Sequence, residues 1–404
     1  EIYMGDWSSD VCSSDLTYGD ESSPTSTRIL GAAKVTGRSP GGFSLGFLDA
    51  VTDNVDGPGS TTLEPATNYA VLRSNQDYDN GNGSVGLILT AVNRALDATS
   101  EPYLHSSAYT GGIDARRRFG GRFEVSSSLG LSRVAGSAEA IAKTQKDPVH
   151  LYQRPDGPLE FDSTRTSLTG TDVEVRFAKV GGRRLLFETA YQRRTPGFDI
   201  NDVGFLRQAD RQAWTSWANL AFREPNSVFQ QLRWNFNNWN YWSVAGLPTE
   251  RAFNTNVHTQ FNNRWWLHMG GTLGQIGETY CDRCARGGPA IRQDPYLAPW
   301  IGIEGDNRKQ LVPYFWVNYW RGDQGHSESI SLQPQLDLKV STRFTTSLSA
   351  NYEDNRNDTQ YFGTFTDVGG AEHYTFAHLD QQTLSVTWRL GYTFTPTASL
   401  QVYA

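Results

Sequence analysis

The chain has 404 residues, of which 38% are hydrophobic and 12% aromatic, and its formal net charge is −7. No stretch reaches the roughly 18 apolar residues that a membrane-spanning helix requires. The acidic balance and the short, scattered basic runs exclude the basic face typical of nucleic-acid-binding proteins, so no nucleic-acid partner is predicted.

The first residues differ in composition from everything that follows. Residues 1–16, EIYMGDWSSDVCSSDL, are polar and lack both the basic start and the apolar core of an export signal. They resemble a translated sequencing-adaptor segment, so we interpret them as the non-native leader of a metagenomic fragment. Residues 17–404 then form one β-barrel domain. We expect truncation at its C-terminus as well, because residues 399–404 stop within an alternating strand.

Strict alternation of apolar and polar residues is the main structural signal. In residues 383–395, Leu384, Val386 and Trp388 alternate with hydroxyl-bearing and charged neighbours. Successive side chains of a β-strand point to opposite faces, so each such segment has one apolar and one polar row. A helix would scatter the same residues around its circumference. The pattern recurs in residues 231–237, 253–262, 329–340 and 343–353.

The connections between these segments alternate in length. Short turns, as at residues 79–83 and 306–309, alternate with longer polar loops, as at 143–163, 194–210 and 354–379. This rhythm predicts an all-β, transmembrane, antiparallel up-and-down β-barrel with roughly 18 visible strands and incomplete ends. A β-sandwich or propeller would also alternate, but with polar outward faces and a different spacing.

In such a barrel the apolar rows contact lipid and the polar rows face the lumen. Six polar-row residues are therefore candidates for setting the selectivity of a pore. These lumen-facing candidates are Arg233, His258, Gln260, Asp337, Lys339 and Arg389.

The loop at residues 194–210 is too apolar for a segment surrounded by water. We predict that it folds inward as a constriction or packs against the barrel rim. Its candidate residues are Phe198, Asp199, Asn201, Asp202, Phe205 and Arg207.

Cys281 and Cys284 form an isolated Cys-x-x-Cys in a Gly-rich loop. A structural zinc site would require a second ligand pair at matching spacing, which the sequence lacks. A small disulfide loop and two free thiols remain the alternatives. His373 and His378 are five residues apart, a spacing that suits no metal site on a regular element. We assign no catalytic residue, metal site or cofactor.

Several motifs resemble the DUF5916 family in their order along nearly the whole chain. They are Arg28–Arg38 with the hairpin at 42–48, Gly86–Arg94, Gly197–Arg207, Arg286–Pro289, and Leu379–Thr383 with Tyr392–Tyr403. The resemblance implies a barrel of the bacterial outer membrane that usually follows a periplasmic domain similar to family 9 carbohydrate-binding modules. That domain is not present in this chain, and Cys281 and Cys284 depart from the family pattern.

Three functional hypotheses follow. The first is a channel or transporter in the outer-membrane bilayer for a polar solute, for example a glycan fragment, delivered to the periplasmic domain. The second is a surface hydrolase that uses His and carboxylate residues of the outer loops. The third is a structural or assembly barrel with a blocked lumen. The sequence shows no nucleophile-elbow or phosphate-binding motif. Because barrel hydrolases use residues on the outer rim, this absence does not exclude an enzyme, although a non-enzymatic role is the preferred hypothesis.

Overall fold

The structure, a computed structural model, describes residues 26–57 and 62–404. The predicted leader, residues 1–16, lies outside the described part of the chain. Among the described residues, no helix has the length and apolar character needed to cross a membrane.

Antiparallel strands dominate the described chain, and 18 of them belong to one sheet, which confirms the predicted all-β fold and strand number. Two further pairs, β3–β4 and β15–β16, form small separate sheets. The strands are β1 (Ile29–Arg38), β2 (Phe43–Thr52), β3 (Val55–Asp56), β4 (Thr62–Glu64), β5 (Thr67–Tyr78), β6 (Gly83–Arg94), β7 (Ser107–Phe119), β8 (Phe123–Ala135), β9 (Ser167–Lys179), β10 (Leu185–Arg194), β11 (Arg211–Phe222), β12 (Phe229–Trp242), β13 (Pro248–Phe261), β14 (Trp266–Gly274), β15 (Thr279–Cys281), β16 (Ile291–Gln293), β17 (Tyr296–Glu304), β18 (Leu311–Gly322), β19 (Ser327–Lys339), β20 (Phe344–Thr366), β21 (Glu372–Thr395) and β22 (Ala398–Tyr403).

Two compact units divide the chain and are described separately. Of the described residues, the first contains 26–57, 62–119, Val125–Val175 and Gln192–Arg211, and the second contains Gly120–Glu124, Arg176–Tyr191 and Gln212–Ala404. In the first, β1, β2, β5, β6 and β7 pair in chain order. In the second, β11 to β14 and β17 to β22 pair in chain order.

The strands of the second unit have the reverse of the polarity of a water-soluble sheet. On β21, Leu384 is 67% exposed, and on β20 Leu348 is 54% exposed. On β13 the opposite, polar row is half-buried or buried, and Asn254 is 2% exposed. On β19 and β21 some polar-row side chains, such as Gln333 and Ser385, are exposed as well. Exposed apolar rows and hydrogen-bonded polar rows are the arrangement expected where the outward solvent is lipid.

Residues 354–379, predicted as a loop, are instead strand. β20 continues to Thr366 and β21 begins at Glu372, so the connecting turn covers only 367–371. The sequence of this stretch has polar residues on both faces of the strands, so the alternation of apolar and polar residues is weak. Such a composition is compatible with a hairpin that is solvated on both sides. The backbone ladder continues there, for example between Arg356 and Asp380.

In the first unit a segment covers the polar side of the strands. Helix α1 (Ala138–Lys146) begins at Ser137, whose hydroxyl accepts a hydrogen bond from the Ala140 amide. We call this helix, together with residues 147–166 and 195–210, the cap. The sequence analysis missed α1, although a capping Ser, an acidic first turn and a basic last turn mark it.

The cap forms a small hydrophobic core with four strands. Ile141 of α1 is fully buried, and Tyr152 of the following loop is 7% exposed. Burial of each such side chain stabilises the cap by roughly 1.5–3 kcal/mol relative to exposure. Their partners, one from each of β6 to β9, are Val92, Ala108, Val134 and Leu168.

Candidate functional site

Asn side chains link four strands on the polar face of the second unit. Asn219 of β11 donates to Asn235 of β12 at 2.7 Å, and Asn235 donates to Asn256 of β13 at 2.7 Å. Asn256 donates in turn to Asn254 at 2.7 Å. Asn237 of β12 also donates to Asn254, at 2.9 Å. We call these five residues the amide ladder. It continues to β14, because Asn254 donates to the Thr272 hydroxyl at 2.9 Å.

The amide ladder follows from the register between β12 and β13. Asn235 pairs with Asn256 and Asn237 with Asn254, so the alternate Asn residues of the two strands lie directly opposite each other. An amide carries both a donor and an acceptor, so each link leaves polar atoms for a further partner. The amide ladder can therefore exchange hydrogen bonds with water or with a solute through uncharged groups.

Two histidines extend this face. His258 lies opposite His268, and their Nδ1 atoms are 2.7 Å apart. His258 Nε2 lies 3.0 Å from Asn256 Oδ1 and must donate to it, because that oxygen only accepts. When both rings are neutral, His258 Nδ1 then accepts a hydrogen bond from His268 Nδ1–H. His268 stacks on Trp316 with ring centroids 5.1 Å apart.

Several tryptophans lie on the polar face rather than on the apolar one. Trp300 and Trp316 are on neighbouring strands β17 and β18 with ring centroids 5.8 Å apart. A Cβ at Gly270 would lie 2.8 Å from the Trp300 ring, and one at Gly302 would lie 2.4 Å from the Trp316 ring. Glycine is therefore required at these two positions, because a side chain there would prevent each indole ring from packing against the adjacent strand. Trp300 and Trp316 therefore differ from Trp388 of the sequence analysis, which lies on an exposed apolar row.

The six predicted lumen-facing residues share the polar face but do not form one cluster. Arg233 and His258 are direct cross-strand partners. Ser347 of β20 pairs with Asp337 of β19 on one side and with Arg389 of β21 on the other. Lys339 lies at a strand end, where its Nζ donates to the Asn307 carbonyl oxygen. Gln260 accepts a hydrogen bond from Gln231 at 3.3 Å.

The predicted inward loop lies in the cap of the first unit. Phe198 is 4% exposed and its ring would touch a Cβ at Gly130, which is on the polar side of β8. Asp199 is also buried, and its amide donates to the Ser132 hydroxyl at 2.9 Å. The Asn201 side chain accepts from the Leu206 amide. Phe205 is 70% exposed and is contacted by the Arg207 guanidinium.

Two His–Asp pairs hold this loop in place. His150 Nε2 lies 3.1 Å from Asp199 Oδ2, and His105 Nδ1 lies 2.9 Å from Asp202 Oδ2. Burial would raise the pKa of both carboxyls, but the hydrogen bonds and charges of the histidines outweigh it. The pKa of Asp199 and of Asp202 is consequently lowered from its ordinary value. Arg94 also binds Asp202.

The other sequence candidates have defined partners. Cys281 and Cys284 are joined by a disulfide. His373 lies 3.0 Å from Asp367, and His378 contacts Asp358. Within residues 26–57 and 62–404, no group of three or more His, Cys, Asp or Glu side chains is arranged to hold a metal ion.

Some solved outer-membrane receptors share this fold. A variant of the ferric enterobactin receptor of Pseudomonas aeruginosa aligns with a TM-score of 0.51 at 9% identity, over 90% of this chain and 62% of the receptor. A second variant, in complex with enterobactin, aligns with a TM-score of 0.50 at 11% identity, over 90% of this chain and 62% of the receptor. At this identity the likeness concerns the fold alone, which is an outer-membrane β-barrel fold.

The chain thus spans about three-fifths of the length of these receptors. None of the curated protein sequences matches it. One family model does match, over residues 13–404, and its description is a domain of unknown function, DUF5916. The motifs quoted from the sequence lie within that range, and the chain belongs to the DUF5916 family.

Proposed function

We propose that this chain is the barrel of a transport protein of the bacterial outer membrane and that a polar solute passes along the polar face of its second unit. The observation that carries the proposal is the reversed polarity of the strands. Leu384, Val386 and Trp388 are exposed on β21, whereas the amide ladder is held together by side-chain hydrogen bonds. Such a face suits a wet passage enclosed by lipid-facing strands.

The proposal extends to the next stage of transport. The family resemblance implies a periplasmic domain similar to family 9 carbohydrate-binding modules in the intact protein. A solute leaving the barrel would be captured by that domain. The expected result is that the intact protein binds glycan fragments and that deletion of the periplasmic domain weakens this binding without abolishing it.

Planar-bilayer recordings on the full chain test the passage itself. We expect discrete conductance steps, and we expect Ser347→Trp, on the polar face between Asp337 and Arg389, to reduce them. Leu348→Trp is the matched control, because the neighbouring side chain lies on the opposite, exposed face. A chain that inserts into the bilayer but carries no current would favour the blocked structural barrel instead.

A hydrolase is the second candidate, and one arrangement in the cap favours it. Thr144 Oγ1, His105 and Asp202 form a hydroxyl–imidazole–carboxylate chain with distances of 2.8 and 2.9 Å. However, the Thr144 hydroxyl also lies 3.1 Å from the Ala140 carbonyl of its own helix, to which it can donate. The geometry supports a structural link between α1 and the loop better than an activated nucleophile. Hydrolysis of p-nitrophenyl acetate that is lost in Thr144→Val would reverse this assignment.

A further inference from the structure

A cleft of about 510 Å³ opens on the polar face of the second unit, between β18 and β21. It lies where the β19–β20 ladder is interrupted: pairing runs from Glu328 to Leu332 and resumes at Gln335. Pro334 lies in this gap and has no N–H to donate to a neighbouring strand.

The cleft is lined by neutral polar and aromatic side chains. Most of them belong to the polar rows, and the six that carry the argument are Tyr314, Trp316, Gln333, Asn351, Ser385 and Thr387. Among the cleft-lining residues none is charged. The lining itself offers an ionic ligand no counter-charge: the charged side chains beside it, Asp337, which accepts a hydrogen bond from Gln335, and Arg389, lie outside it. An apolar ligand would bury the amides and hydroxyls without partners, at about 1–3 kcal/mol for each group. A neutral ligand rich in hydroxyls avoids both penalties.

Aromatic rings supply the second half of the recognition. Trp316 is fixed at the cleft by His268, at 5.1 Å, and by its position over Gly302. A sugar ring has an apolar C–H face and a rim of hydroxyls, each of which both donates and accepts. A fixed indole can cover the apolar face while Gln333 and Asn351 bond to the rim.

The rings also connect the cleft with the amide ladder. Trp300 lies 5.8 Å from Trp316 and 6.0 Å from His258, which is bonded to Asn256. The aromatic and amide groups therefore form one continuous strip that is longer than a single sugar. We infer that the cleft and this strip bind a neutral, linear oligosaccharide; the inference rests on the proposed transport function and names its solute class.

The test measures binding and conduction separately. The full chain is purified in an amine-oxide detergent, which carries no sugar, and maltoheptaose and cellohexaose are titrated by calorimetry. We expect at least one to bind and Trp316→Ala to weaken it by about tenfold or more. Trp388→Ala is the control, because Trp388 lies on the exposed apolar face of β21, opposite to the cleft-lining Thr387. This variant should bind the sugar like the wild type.

A second variant covers the case in which Trp316→Ala does not fold. Asn351→Leu keeps the side-chain size and removes the amide, so binding should weaken while the chain stays folded. No binding of either sugar by the wild type, tighter binding of the anionic hexagalacturonate, or equal loss in Trp388→Ala would overturn the inference. Conductance without sugar binding would refute the saccharide class alone, whereas absence of conductance would refute the proposed transport.

Discussion

The two units differ in what lies against the polar side of their strands. In the first, the cap covers it with a small core around Ile141 and with buried His–Asp pairs. In the second, the strands' own side chains form the amide ladder and leave a cleft beside Trp316. The same alternation of apolar and polar residues thus occurs in both units. In the first unit the polar side packs against the cap, and in the second it forms the face on which we propose that solutes bind. The difference arises from the connecting segments.

The largest effect should come from the core of the cap. Ile141→Ala removes a fully buried side chain and leaves a cavity, so the cap should lose roughly 2–5 kcal/mol of stability. Trypsin should then cleave faster within residues 143–165, as followed by mass spectrometry. Ile113→Ala, at a 54% exposed position of β7, is the control and should leave the digestion pattern unchanged.

A close backbone contact should give the next largest effect. A Cβ at Gly170 would lie 2.1 Å from the Phe198 nitrogen, so Gly170→Ala should displace residues 195–210 at a cost of about 1–3 kcal/mol. Hydrogen exchange of this loop should accelerate. Gly37→Ala, where nothing lies within 4 Å, should show normal exchange. Unchanged protection in Gly170→Ala would mean that the loop does not rest on β9.

Acid should loosen the cap selectively. Because the pKa of Asp199 and of Asp202 is lowered in the folded protein, their contribution is fully present above the ordinary carboxyl value, about 3.9. It is lost as the pH falls from there through the lowered values. Protection of residues 195–210 should therefore decrease on acidification, after correction for intrinsic exchange. Asp199→Asn should reduce this pH dependence; an identical profile would contradict it.

The smallest effect concerns ion selectivity in the second unit. Arg389→Glu reverses a charge on the polar face opposite Ser347, so the anion-to-cation permeability ratio should fall by a few-fold. Reversal potentials in a salt gradient measure it. Arg343→Glu, at the exposed turn before β20, should change the ratio less. Equal shifts for both variants would remove Arg389 from the passage.

Much of the fold could be predicted from the sequence because the alternation of Leu384, Val386 and Trp388 requires no knowledge of distant contacts. The Asn residues of the ladder were visible as polar rows, but their bonds depend on the register between β12 and β13. Trp300 and Trp316 were not predictable as polar-face residues, since their place depends on glycines of neighbouring strands. The cap also required tertiary structure, because its core combines residues from 92 to 168.

The face that contacts lipid can be measured directly on β21. Spin labels at Leu384→Cys, Ser385→Cys, Val386→Cys and Thr387→Cys, in a Cys12→Ser background, would be compared in lipid vesicles. We predict that labels at 384 and 386 are accessible to oxygen dissolved in lipid and that labels at 385 and 387 are accessible to a water-soluble nickel chelate. The opposite alternation, or equal accessibility of all four positions, would contradict the account.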